Sequence, residues 1–385
     1  MSQTAIVSLA YNRKQSLRRQ LASLEQASYP EPVDLVISID KSDTDEVENF
    51  ADCYEWPFGQ KRVIRHDRRM GTRKHVMSLA QLFETYDVLI VLEDDITVAP
   101  SFYLYAKACV NRYQDDMRIA GISLYSFNIN YQNELPFTPL KSPWDVFFIN
   151  CAQSWGQVWM KQQWMDFHQW YDKHSESFHI DSLPPCLNMW PDKSWLKYHT
   201  RYCIEEDKYF VYPYFALSTN NAEPGMNQKE TDSLFQSNMM WGVKDTFSLP
   251  SLDECEVRYD GFFNPKFLAG YLHIDSSELT VDLYGNTPLQ YSRNYLLSTR
   301  ALPFKVLRQF SLELHPMEMN IIQQREGNGI WLYDTKQSHE PPSEYDGYRL
   351  FYHYYRKALF VGRKMIGIRG AIRLACKTLI TKIKG

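Results

Sequence analysis

The stretch from Asp87 to Pro100, DVLIVLEDDITVAP, constrains this chain more than any other. Val88 to Leu92 are five consecutive apolar residues, three of them β-branched, followed at once by Glu93, Asp94 and Asp95. An apolar run of this length reads as a strand buried on both faces, the kind a parallel sheet requires. Three acids at its end would be costly in a core unless something cationic meets them. Ligands of open α/β sheets bind just beyond the carboxyl ends of the strands. The stretch therefore points to a divalent cation and, through it, a diphosphate.

The segments around it alternate in period. Residues 5–9 are an apolar run, and Leu17, Leu21 and Leu24 follow at helical spacing. Residues 33–39 read as a second strand ending at Asp40, and 62–65 as a third. A basic loop, 66–75, leads to a helix with Val76, Leu79, Ala80 and Phe83 on one face and Thr72 as its N-cap. Pro100 and Ser101 open another helix, with Phe102, Tyr105, Cys109 and Tyr113 at helical spacing, and 119–124 is a further strand. This order predicts an α/β fold with a mostly parallel, doubly wound, Rossmann-like sheet. Residues 126–300, rich in Trp, Tyr, Pro and Asn, show no clear order of elements and no repeat. The EPPSE segment at 340–344 reads as a turn or linker.

Charge is unevenly spread. The chain is net −4, but residues 347–385 carry ten Lys/Arg and no acid, so the tail is +10 and the rest −14. Within the tail, Val361, Met365, Ile368, Ile372, Ala375, Leu379 and Ile383 form an apolar stripe flanked by Arg369, Arg373, Lys377 and Lys384. A basic amphipathic helix of this kind suits an anionic membrane surface, and 349–385 is expected to bind one. The bland alternative is a helix docked on the body with a solvated basic face. The seven cysteines include no CxxC pair, which argues against a zinc ribbon or disulfide framework and for a reducing compartment. No apolar segment approaches the length of a membrane span, and no signal peptide is expected.

GxGxxG, GxxxxGK[ST] and HExxH are all missing, which sets aside dinucleotide-binding folds, P-loop NTPases and zincins. Mg²⁺ and Mn²⁺ favour oxygen ligands, often one or two carboxylates plus substrate phosphates, and a strand-end acid triplet suits them. Other acid groups read as solvated: Glu205-Glu206-Asp207 follows no buried run, and Asp115-Asp116 follows a helix.

The segment from Val91 to Phe102 resembles the metal-binding segment of N-acetylglucosaminyltransferase I and related GT-A glycosyltransferases, in which a DxD-type acid triplet ends a strand. The resemblance extends from about residue 4 to 225. It implies Asp95 as the direct metal ligand, with Glu93 and Asp94 bonding the ribose and supporting groups. It further implies that Arg13 reaches the nucleotide, that Asp40 contacts a uracil, and that His75 lies near the nucleotide. Trp155 and Gly156 would border the sugar donor. The segment from Trp190 to Trp195 resembles the one carrying the catalytic base, which places that role on Asp192. The family has two adjacent acids there and this chain has Pro191-Asp192, so Asp166 and Asp181 stand as fallback bases. Arg68, Arg69, Arg73 and Lys74 could add positive charge near the diphosphate, and 220–225 could form a lid.

The resemblance, together with the charge and apolar stripe of the tail, divides the chain into four expected regions: 1–125 for nucleotide-sugar binding, 126–300 for the acceptor and base, 301–346 as a connection, and 347–385 as the membrane tail. The implied activity is metal-dependent transfer of a sugar from a nucleotide donor, UDP by preference, to an acceptor hydroxyl with inversion. The expected cofactor is Mn²⁺ or Mg²⁺, and no nucleic-acid partner is expected. The acceptor would be a glycan or lipid-linked glycan in surface-polysaccharide assembly on the cytoplasmic face of a membrane. Two rivals stand beside this reading. A nucleotidyltransferase would need a glycine-rich loop after the first strand, where Leu9 to Arg13 has no glycine. The other is a non-catalytic glycan-binding scaffold.

Overall fold

A computed structural model describes residues 3–223, 233–342, 349–358, 360–361, 364, 367 and 369–370. In chain order the first elements are β1 (Thr4–Ala10), α1 (Lys14–Glu25), β2 (Asp34–Ile39), α2 (Glu46–Cys53), β3 (Lys61–Arg65), α3 (Thr72–Ser78), β4 (Val88–Glu93), β5 (Ile96–Val98), α4 (Phe102–Tyr113) and β6 (Ile119–Ser123). A small hairpin, β7 (Ile129–Asn130) and β8 (Leu135–Pro136), precedes β9 (Val146–Ile149), β10 (Gln157–Met160), α5 (Lys161–His174), α6 (Pro185–Met189), α7 (Trp195–Glu205), β11 (Tyr209–Pro213), β12 (Ser218–Asn220) and β13 (Arg258–Tyr259). The last part holds α8 (Leu268–Leu272), β14 (Leu279–Asp282), β15 (Tyr295–Ser298), β16 (Phe304–Phe310), α9 (Glu318–Ile322) and β17 (Ile330–Ser338).

The strands and helices expected in the first third form, α2 and β5 are added to them, and α3 differs locally in two ways. Gly71, at φ 75°, takes the N-cap position of α3, and Thr72 is the first helical residue. A left-handed conformation there is open to glycine without strain. The apolar face of Val76 to Phe83 is split between α3 and a 3₁₀ turn, Leu79–Glu84.

The main sheet has nine strands in the order β13-β9-β11-β6-β10-β4-β1-β2-β3. β3, β2, β1 and β4 are mutually parallel. Beyond them the expectation of a mostly parallel sheet needs correction: β10 runs antiparallel to both β4 and β6, and β9 antiparallel to β11. The sheet is mixed because its second half comes from the 126–300 region, whose short strands lack a legible period. Residues 146–259 thus complete the same sheet that residues 4–123 begin. β14, β15, β17 and β16 form a separate four-stranded sheet, tied internally by the ion pair of Asp282 and Arg300.

Residues 349–358 are helical, with Phe351 and Tyr352 exposed. The apolar stripe expected from Val361 to Ile383 lies mostly outside the described residues, as do residues 224 and 225 of the expected lid. No helix among the described residues is long and apolar enough to cross a membrane.

α5 and α7 pack one face of the sheet through aromatic rings: Trp159 stacks on Trp164 with centroids 3.6 Å apart, and His199 lies on Phe167 at 4.1 Å. His199 is fully buried, and neither ring nitrogen meets a hydrogen-bond partner among the described residues. Burial lowers its pKa from 6.5 to about 3. A base with a depressed folded pKa contributes stability that is complete above its unfolded value and is lost as pH falls from about 6.5 towards about 3. His199→Phe should therefore stabilise the protein by roughly 1–3 kcal/mol at neutral pH, the cost of leaving a buried polar group unpaired. It should also flatten the loss of melting temperature on acidification, which a thermal melt series against pH will read.

Candidate active site

The acids stand where the sheet stops. Glu93 is the last residue of β4, Asp94 and Asp95 make the two-residue turn, and β5 begins at Ile96. β5 leaves the sheet plane and pairs with β12, with Asn220 opposite Ile96. Asn221 then donates its backbone N–H to the Asp95 carbonyl at 2.9 Å. The acid turn is thus flanked by β1 and α1 on one side and by residues 220–223 on the other.

Arg13, which caps the N-terminus of α1, reaches both aspartates. Its Nη2 bonds Asp94 Oδ1, its Nε bonds Asp94 Oδ2 at 3.4 Å, and its Nη1 bonds Asp95 Oδ2 at 3.1 Å. Among the described residues this one guanidinium faces the three acids. Burial, opposed by Arg13, pushes Asp94 up to about 6. Burial together with the charges of Asp95 and Asp94 pushes Glu93 up to about 8. Asp95 Oδ1 is buried with no hydrogen-bond partner among the described residues. An orphaned carboxylate oxygen in an under-neutralised acid turn fits a divalent cation. Among the described residues no group of three or more His, Cys, Asp or Glu side chains is arranged to enclose a metal.

A cleft of about 660 Å³ is lined by Asn12 to Ser16, by Glu46 at the start of α2 and by Asn221 to Glu223; Arg13 joins it to the acid turn, whose own side chains do not line it. Glu223 pairs with Arg19 and accepts from Ser16 Oγ, which ties residues 220–223 to α1. Ser16 and Arg19 carry no sequence signal beyond their helical position.

Trp155 and Gly156 reach the same edge. β10 runs antiparallel to β4, with Gln157 opposite Val91, so the residues before it lie beside the end of β4. Gly156 has φ 100°, and a Cβ there would lie 2.8 Å from Ser218 Oγ, so the close approach of β12 requires glycine. Trp155 packs edge-on against Tyr125 and lies near Phe235.

Asp40 and His75 are built into the scaffold. The Asp40 carboxylate accepts the backbone N–H groups of Lys41, Met70 and Gly71 at 2.7–2.9 Å, which folds the basic loop back over β2. His75 is buried, its Nε2 lies 2.8 Å from Ser38 Oγ, and burial with a lesser effect of His66 lowers its pKa to about 4, so it is neutral. The basic loop is also more structural than its composition suggests. Arg69 lies over Tyr11. Arg73 bonds Tyr171 Oη, the Ser175 carbonyl and the Asp192 carbonyl, joining α3 to the α5–α7 layer. Arg68 and Lys74 are exposed.

Asp192 lies just before α7, beside the start of α3, where Arg73 Nη1 is 2.9 Å from its carbonyl. α3 starts from the loop that leaves the carboxyl end of β3, so Asp192 lies on the edge of the sheet where the acids lie. Its carboxylate is exposed and pairs with the buried Lys197 at 2.9 Å. That hydrogen bond and one from Ser177 hold it below the usual carboxylate range. Asp166 belongs to the opposite edge: it binds Lys208, whose Nζ also bonds the Met117 carbonyl, and these residues precede β11 and β6. Asp181 is exposed beside His179.

Residues 5–150 match the family model "Glycosyl transferase family 2". No curated protein sequence matches the chain. Among solved structures it is similar to a mannosyltransferase from Pyrobaculum calidifontis in complex with GDP-Man and Mn²⁺, at 10% identity and TM-score 0.35 over 55% of each chain. It is also similar to GalNAc-T7 with UDP, GalNAc and Mn²⁺, at 15% identity and TM-score 0.38 over 56% of this chain and 43% of that one. S. aureus TarS 1-349 with UDP-GlcNAc follows at 13% identity and TM-score 0.33, covering 43% of this chain and 47% of that one. The chain thus spans about half the length of these structures, and none of them singles out N-acetylglucosaminyltransferase I. The family match covers the segment from β1 through β9, which holds Arg13, Asp40, His75 and the three acids.

Proposed function

We propose that the chain is a metal-dependent GT-A glycosyltransferase that moves a sugar from a nucleotide donor, UDP-linked by preference, to an acceptor hydroxyl. The observation that carries the reading is the acid turn, where Asp95 Oδ1 is buried without a hydrogen-bond partner among the described residues and Asp95 pairs with Arg13, which lines an open cleft. Asp95 would hold Mn²⁺ or Mg²⁺, and the ion would supply counter-charge to the departing diphosphate. Arg13 is the adjacent cation on the protein, already aimed at the turn and able to meet phosphate oxygens. Trp155 and Gly156 border the space for the sugar, and Asp40 with His75 shapes the floor under the nucleotide.

The transfer is a single in-line displacement with inversion. The acceptor oxygen bonds the anomeric carbon as the bond from that carbon to the diphosphate breaks, and the acceptor proton passes to Asp192. Lys197 keeps Asp192 ionised at neutral pH, the state a base requires. Its low basicity suits a late proton transfer, when the acceptor oxygen has become acidic by bonding to carbon. The acceptor in this reading is a lipid-linked surface glycan at the cytoplasmic face of a membrane. The basic tail would lie on the anionic headgroups, with Phe351, Tyr352, Phe360 and Val361 as exposed apolar contacts.

A UDP-sugar with Mn²⁺ should raise the melting temperature, by about 2.7 kcal/mol of stabilisation when the ligand is at 100 times its Kd. Asp95→Ala should abolish the Mn²⁺-dependent part of that shift and cut turnover by about two orders of magnitude; retained Mn²⁺ dependence would end the metal assignment. Asp192→Asn should bind donor normally and lose about 100- to 10,000-fold in kcat. In the wild type, the acidic limb of the kcat/KM profile should fall below the ordinary carboxylate value, because only the ionised form accepts the proton. Deleting residues 349–385 should release the protein from anionic liposomes in a sedimentation assay, and continued binding would remove the membrane role.

A further inference from the structure

The helix α1 carries a polar row inside its buried face. Arg13, Ser16, Gln20 and Ser23 follow at steps of three, four and three, so they share one side of the helix. Every one of them bonds the acid turn or its flank. Gln20 is the most deeply placed: it is fully buried among Leu17, Leu21 and Leu24. A buried amide is costly unless both its ends are satisfied. Here its Nε2 donates to the backbone carbonyl of Glu93, and its Oε1 accepts from Ser8 Oγ of β1. The ladder from β10 to β4 ends at Val91, so at Glu93 a side chain takes over from that neighbouring strand. Five residues further on, Ser23 Oγ accepts the Val98 N–H at 3.2 Å. Asp94 and Asp95 thus sit between two backbone points that α1 fastens.

We propose that Gln20 is a positioning residue for the cation site, holding the Glu93 carbonyl so that the following turn presents its carboxylates in one place. This rests on the metal-dependent reading above. Gln20→Met keeps the length of the side chain and removes both bonds. Its half-saturating Mn²⁺ for nucleotide-sugar turnover should rise about tenfold, the lower end of the effect of supporting bonds at metal sites. Mn²⁺ binding to the donor-free protein, followed by electron paramagnetic resonance, should weaken by the same factor, while kcat at saturating Mn²⁺ returns close to wild type. Leu24→Ala, buried on the same helix with no bond to the turn, should melt earlier and leave the Mn²⁺ constant unchanged. Should Gln20→Met fail to fold, Ser8→Ala removes only the bond that orients the amide and should shift the constant in the same direction by less. An unchanged Mn²⁺ constant in the Gln20 variant, or an equal shift in Leu24→Ala, overturns the proposal and leaves the metal reading standing. A wild-type protein that binds no Mn²⁺ overturns the metal reading and takes this inference with it.

Discussion

One guanidinium shared between two carboxylates sets the electrostatics of the whole carboxyl edge. β4 delivers Glu93, Asp94 and Asp95 out of a strand whose preceding five residues are buried, so the acids begin their turn in a poorly solvated place. Arg13 offsets part of that cost from across the β1–α1 loop. It leaves Asp94 and Glu93 with raised pKa values, and one oxygen of Asp95 without a partner among the described residues. The residual demand for positive charge is the reason for proposing this edge as the binding site.

The sheet brings distant chain segments to that edge through strand direction. β1 and β4 run parallel and end together, while β10 runs the other way and therefore begins there. The consequence is that Arg13, Asp94, Asp95, Trp155 and Gly156 meet at one end of the sheet, although they span more than a third of the sequence. The same rule sends Asp166 to the far end, because Lys208 and Met117 precede strands that run towards the acids. Direction alone removes it as a partner of Asp95.

The strands and helices of the first third were legible in the sequence because long apolar runs and 3.6-residue spacing report burial directly. The acid triplet stood out for the same reason: charge directly after a buried run demands an explanation. The basic loop was less legible. Its arginines suggested phosphate contacts, yet Arg73 spends its donors on Tyr171, Ser175 and Asp192, and Arg69 lies on Tyr11. A planar cation with several donors serves packing as readily as ligand binding, and composition does not distinguish the two. Asp40 shows a similar ambiguity, since its carboxylate organises the backbone of that loop.

By itself, the sequence determined that the first strands form a parallel core, that the acids stand at a strand end, and that charge is asymmetric between body and tail; the strand order came from the structure. Only the tertiary structure decided that the sheet is mixed, because strands of two to five residues in the second half carry too few side chains for a period. It also decided which polar residues act together. Gln20 sits in an ordinary amphipathic helix, and its bond to the Glu93 carbonyl spans 73 positions of sequence. Such pairings depend on how a helix is laid against a strand, and local periodicity holds no record of that.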